Sequence, residues 1–155
     1  MLLELLKNKW NLEGITSFMP VRDSELISFQ HTNNVVLPCD MIEYLNILNG
    51  TNSECTDTLY EFYSLNSIKT IDEEFKSWEG IPNYKDLLNI ISSPEQLYVF
   101  ANYQFNLYVY AIRLYENSTN ENEIYVFCGQ EYKMISNTFS KFLEEYINDS
   151  DLIKI

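Results

Sequence analysis

Val36-Leu37-Pro38-Cys39-Asp40-Met41-Ile42-Glu43-Tyr44-Leu45-Asn46-Ile47-Leu48-Asn49-Gly50 carries its own start and its own stop. Pro38 has no N–H to lose and a fixed φ suited to a first helical position, and Asp40 places negative charge beside the positive end of the helix dipole. Met41, Leu45 and Leu48 recur at i, i+4 and i+7 with Ile42 flanking them, so one face is committed to a core. Gly50 supplies the left-handed residue that ends a helix.

That face needs a partner, and the second half of the chain offers one. Leu97 to Tyr103 and Leu107 to Tyr115 are rich in Val, Ile, Tyr and Phe, with only Gln104-Phe105-Asn106 between them, which predicts a hairpin. Asn106 is the residue there best suited to a positive φ. Glu116 to Asn122 reads as a polar loop. In Glu123 to Cys128, Ile124 and Val126 alternate against Tyr125 and Phe127, giving a further strand, and Tyr132 to Ile135 follows Gly129-Gln130 as a short edge strand. The chain then changes period: Phe139, Phe142, Leu143, Tyr146 and Ile147 form one stripe behind Ser136, the expected N-cap, so a closing helix packs on the sheet.

Upstream, Leu2, Leu3, Leu5, Leu6 and Trp10 suggest an opening helix that breaks near Gly14, and Asp23 to His31 a second before the Asn33-Asn34 turn. Leu59 to Leu65 reads as a strand by its aromatics. Ile68 to Trp78 reads as a helix, with Ile71, Phe75 and Trp78 spaced by four and three. Gly80 to Pro94 is irregular with a helical turn or two. The fold class expected is α+β in one domain spanning residues 1–155: an antiparallel meander with helices packed on one face. Tyr98, Tyr103, Tyr108, Tyr110, Tyr115 and Tyr125 cluster in the meander, and alternate ones are expected on its open face, where Tyr suits a protein interface.

Composition narrows the function. The 155 residues carry 23 acidic against 10 basic side chains, a net charge of −13. Between Arg22 and Lys69 there is no Lys or Arg, whereas phosphate binding requires them, so direct nucleic-acid binding is not expected. Three cysteines, Cys39, Cys55 and Cys128, have no pair spacing and read as free thiols of a reducing, cytoplasmic setting. No apolar run approaches the roughly 18–20 residues of a membrane span. The parts of an enzyme are mostly missing. His31 is the only histidine, no cysteine has zinc-ligand spacing, and 4 Gly in the whole chain leave little for a phosphate loop. A Cys paired in space with His31 is the enzyme alternative. No metal or cofactor is expected.

The order of elements resembles the SUKH superfamily, the Smi-and-Knr-like proteins. The matching residues are Leu37-Pro38 opening a helix that closes at Asn49-Gly50, then Phe62-Tyr63-Ser64-Leu65 before a helix. Phe100-Ala101-Asn102, Tyr110-Ala111-Ile112 and the stretch from Ser136 through Tyr146 follow. Two positions depart from the family pattern: Asn102 stands where Asp is usual, and Asn106 where a glycine turn is common. The resemblance implies a non-catalytic protein. Such members look like immunity proteins of bacterial polymorphic toxin systems, which bind and block a cognate toxin, often a nuclease. Others are fungal cell-wall regulators, so a regulatory or scaffold module is the alternative. The resemblance fixes no binding residues, and charge nominates them instead. From Asp40 to Glu74 there are eight carboxylates against only Lys69, a dock for a basic partner. Glu54, Asp57 and Glu61 beside the loop after Gly50 are the first candidates, and Asp72, Glu73 and Glu74 the next.

Overall fold

The computed structural model describes residues 1–155. Three helices come first: α1 (Leu2–Leu12), α2 (Asp23–Asn33) and α3 (Cys39–Ile47). β1 (Tyr60–Phe62), β2 (Lys69–Thr70), α4 (Ile71–Phe75) and α5 (Leu87–Ile90) follow. The meander β3 (Leu97–Tyr103), β4 (Tyr108–Arg113), β5 (Ile124–Cys128) and β6 (Glu131–Ser136) leads into α6 (Phe139–Ile147). All strand pairs are antiparallel in the order β1-β3-β4-β5-β6, with β2 beside β1 along β3. No helix is long and apolar enough to cross a membrane.

The organising helix behaves as its sequence dictates. Pro38 is the N-cap, Met41, Leu45 and Leu48 are fully buried, and Asn49 and Gly50 both take positive φ after the last turn. Asp40 does more than face a dipole. Its carboxylate accepts the Met41 N–H and, at 2.8 Å, the Ser140 N–H in the first turn of α6, tying the two helix starts together.

Tyr98, Phe100, Tyr110, Ile112, Ile124 and Val126 turn one face of the sheet toward α1, α3 and α6, in a cluster of 28 buried residues that forms the main core. Within it Trp10 donates its indole N–H to the Tyr146 hydroxyl (3.0 Å), so the first and last helices share a satisfied polar contact. The other face is not open. Ile71 and Phe75 of α4, Tyr84 and Leu87 cover Leu97, Val99, Val109, Ala111 and Phe127 in a second, smaller cluster. A β-bulge at Phe100 lets both it and Ala101 face the main core and returns Asn102 to the second face.

Four sequence-based expectations change. Tyr98 and Tyr110 point into the main core and lie buried under the helices, and the face expected to be open is covered by the second cluster, with Tyr125 packed against it. The helix expected over Ile68 to Trp78 begins only at Ile71: Lys69 and Thr70 pair with Val99 and Tyr98, and the Thr70 side chain then caps the Glu73 N–H. The cap of α6 is Thr138, whose hydroxyl accepts the Lys141 N–H, while Ser136 still belongs to β6. In the hairpin turn Gln104, Phe105 and Asn106 all adopt positive φ, so no single residue carries the reversal.

Candidate partner-binding surface

β1 lies at one end of the sheet, and its outer backbone groups would be free were it not for the loop after Gly50. That loop seals them. Thr51 donates its N–H to the Phe62 carbonyl (2.9 Å) and accepts the Phe62 N–H on its hydroxyl oxygen (3.1 Å). Thr56 does the same for Tyr60, at 2.8 and 3.1 Å. Both threonines are buried, and the Thr51 hydroxyl proton goes to the Glu54 carbonyl (2.7 Å). The loop reaches β1 this closely because Gly50 has no side chain: a Cβ there would sit 2.4 Å from the Phe62 carbonyl oxygen.

The sealed edge is acidic on both sides. On one side Asp57 is exposed beside the end of α1, where its N–H donates to the Glu13 carbonyl (3.0 Å) and Thr58 donates its hydroxyl to the Glu13 carboxylate. Lys9 lies 2.9 Å from Asp149 and 3.9 Å from Glu13, leaving this group of three carboxylates one cation. On the other side Glu61 and Glu74 turn inward. Asn102 donates its amide to the Tyr63 hydroxyl (3.1 Å), which donates to Glu74 (3.2 Å), with Lys69 3.9 Å from the same carboxylate. Burial, chiefly, pushes the Glu74 carboxyl above its ordinary range against the pull of Lys69 and Tyr63. Burial likewise raises Glu61, opposed by a hydrogen bond from Asn102. A carboxylate at 102 could not donate to Tyr63, so the amide found here suits this chain's particular ring of acids.

Of the six nominated carboxylates, Glu54, Asp57, Asp72 and Glu73 are therefore exposed, and Glu61 and Glu74 belong to a half-buried polar network. The two nominated segments are linked over the surface. A cleft of about 500 Å³ between α2 and the 65–69 segment reaches Lys69 and Glu73, and it shares Glu25 and Asn66 with a second cleft of about 430 Å³ that reaches Asn52 and Ser53.

The alternative chemistry finds little support in the geometry. No three His, Cys, Asp or Glu side chains are grouped to hold a metal ion. The three cysteines are free, and Cys39, Cys55 and Cys128 lie on separate elements. Burial, then a neighbouring carboxylate, pushes the Cys55 and Cys128 thiols up, away from the thiolate that nucleophilic work requires.

With the sheet, the helix order and the acidic edge in place, comparison with known families is decisive on kinship: the sequence pattern of the SMI1 / KNR4 family (SUKH-1) matches residues 20–145. The chain belongs to that family. Among curated proteins none matches it. The SUKH-1 match includes the organising helix, the sealed edge and most of α6, so the surface described lies almost wholly within the family region. Glu13 and Asp149, which complete the acidic group around Asp57, lie outside it and were not legible as partners of Asp57. They are 44 and 92 positions from Asp57 in sequence, and only the packing of α1 on α6 brings them there.

Proposed function

We propose that this SUKH-1 chain is a non-catalytic binding protein of the immunity type, which neutralises a bacterial toxin domain by covering that domain's basic surface. The observation that carries this is the charge of the β1 edge. Glu54 and Asp57 stand exposed on the loop that seals it, Asp72 and Glu73 stand exposed on α4 after β2, Glu13 and Asp149 add to them, and Lys9 and Lys69 are the cations paired there. A toxin that acts on nucleic acid must present Lys and Arg to its substrate, so the two fields attract before contact and the docked protein occupies the place of the substrate phosphates. Glu54 and Asp57 lie on the loop whose Thr51 and Thr56 are hydrogen-bonded to β1, and Asp72 and Glu73 on α4, so these side chains stand on backbone tied to the sheet.

The test pairs this chain with the toxin domain encoded in the adjacent reading frame and measures association rate against ionic strength. The variant of choice is Asp57→Lys with Glu73→Lys, since both side chains are exposed and neither takes part in the inward network. Association of the wild type falls steeply with salt, and the double variant associates roughly tenfold more slowly at low salt. A flat salt dependence, or an unchanged rate in the variant, overturns the acidic dock.

A further inference from the structure

The opposite edge of the sheet has none of the devices that close β1. β6 is the terminal strand, Glu131 to Met134 are all exposed, and neither a loop nor a side chain caps their outer backbone. The hairpin fixes which groups are free. Gly129, at the first central position with φ +62°, closes a two-residue turn in which Cys128 and Glu131 form the last pair. Such a pair exchanges hydrogen bonds, and the alternation of an antiparallel ladder then makes Phe127 with Tyr132 and Tyr125 with Met134 non-hydrogen-bonded pairs. Tyr132 and Met134 therefore point their N–H and C=O groups outward.

Their side chains are exposed as well, Tyr132 at 40% and Met134 at 55%, with the Tyr132 ring resting against Phe127 and Tyr125. This region is also neutral. Residues 76–91, whose Tyr84 and Leu87 pack on the second face, and residues 124–136, which carry β5 and β6, hold Lys76, Lys85 and Lys133 against Glu79, Asp86 and Glu131, so these two segments have no net charge. A second copy of the chain can approach here without meeting the acidic field that repels it elsewhere.

From the free edge and its charge pattern we infer that β6 pairs with β6 of a second copy, antiparallel about a two-fold axis at Tyr132, so that the sheet runs on through both subunits. The register follows from which backbone groups face out. Outward groups sit on even-numbered residues, so the permitted self-pairings put Glu131 opposite Glu131, Glu131 opposite Lys133, or Lys133 opposite Lys133. Only the middle one, centred on Tyr132, sets opposite charges face to face, twice over by symmetry, in the closer non-hydrogen-bonded positions. Tyr132 then hydrogen-bonds to its own copy through the backbone, and Met134 lies across from Gln130. This interface is distinct from the acidic dock and leaves one dock free on each subunit.

The test is the mass of the purified full-length chain in solution, followed by sedimentation over about a hundredfold range of concentration, because mass action reveals an association through one strand. The wild type shifts from monomer to dimer. Lys133→Glu sets Glu against Glu in both copies and weakens association roughly tenfold or more. Glu131→Lys combined with Lys133→Glu restores the opposite-charge pairing and returns the wild-type dimer. Tyr132→Pro, which removes the central N–H, leaves monomer while thermal unfolding confirms a folded chain. A wild type that stays monomeric overturns the inference, as does a charge-swapped double variant no better than Lys133→Glu. None of these outcomes bears on toxin binding, so failure here and failure of the acidic dock are told apart.

Discussion

The two ends of the sheet solve the same problem in opposite ways. A terminal strand exposes a row of N–H and C=O groups that invites another chain. At β1 the loop from Gly50 to Thr56 satisfies that row from within, and the surface beyond it is free to be strongly charged. At β6 the row is left open, the surroundings are neutral, and Tyr132 and Met134 add apolar area. Sealing a strand and charging its surroundings favours a partner of opposite sign, recognised through side chains. Leaving a strand open and uncharged favours recognition through backbone.

The contrast is broken most severely at Gly50. Gly50→Ala should cost about 3 kcal/mol, from a left-handed backbone that Ala resists and a Cβ driven against the Phe62 carbonyl. A urea midpoint near the wild-type value would show that the loop can lift away from β1 at little cost.

Thr51→Val keeps the shape but removes the oxygen that accepts from Phe62 and the proton given to Glu54. Leaving that buried N–H unpaired should cost about 1–3 kcal/mol, whereas Lys133→Ala on the open edge should change monomer stability by no more than about 0.5 kcal/mol. Equal effects at the two positions would mean that the edges do not differ in how their backbones are satisfied.

The smallest effect concerns the inward acids of the sealed edge. A carboxyl held above its ordinary value in the folded state binds its proton more tightly there than in the unfolded chain, so Glu74 and Glu61 favour folding in acid. That contribution is lost as pH rises from the ordinary carboxylate range through the raised folded values. Glu74→Gln keeps an acceptor for Tyr63 and removes the buried charge, so it should be slightly more stable than wild type at neutral pH and equal to it in acid. Denaturant titrations at both pH values check this, and a loss at neutral pH would mean that the Lys69 pairing outweighs burial.

Much of this was legible in the chain itself. The turn after Cys128 needs a glycine with positive φ, and one stands there. The stripes of α3 and α6 need a common core, and Met41, Leu45, Phe139 and Phe142 meet in it. The α+β class, the four-strand meander and the acidic stretch from Asp40 to Glu74 rest on period, cap and charge, which are properties of neighbours in sequence. The second cluster was harder to read because Tyr84 and Leu87 come from a segment without a repeating pattern, and the helical spacing of Ile71 and Phe75 does not say which face of the sheet they cover.

What the sequence by itself determined about this SUKH-1 chain is therefore its elements and their signs: where helices start and stop, which faces are apolar, and which third of the chain carries only acidic charge. Only the tertiary structure decided which strand ends the sheet at each side and which of those ends is closed. Thr51 and Thr56 are unremarkable in a loop until they stand opposite Phe62 and Tyr60, and Glu61 and Glu74 read as surface until Asn102 and Tyr63 turn them inward. The physical reason is that a hydrogen bond or a burial cost belongs to a pair of groups, and those pairs are formed by packing between residues far apart in the chain.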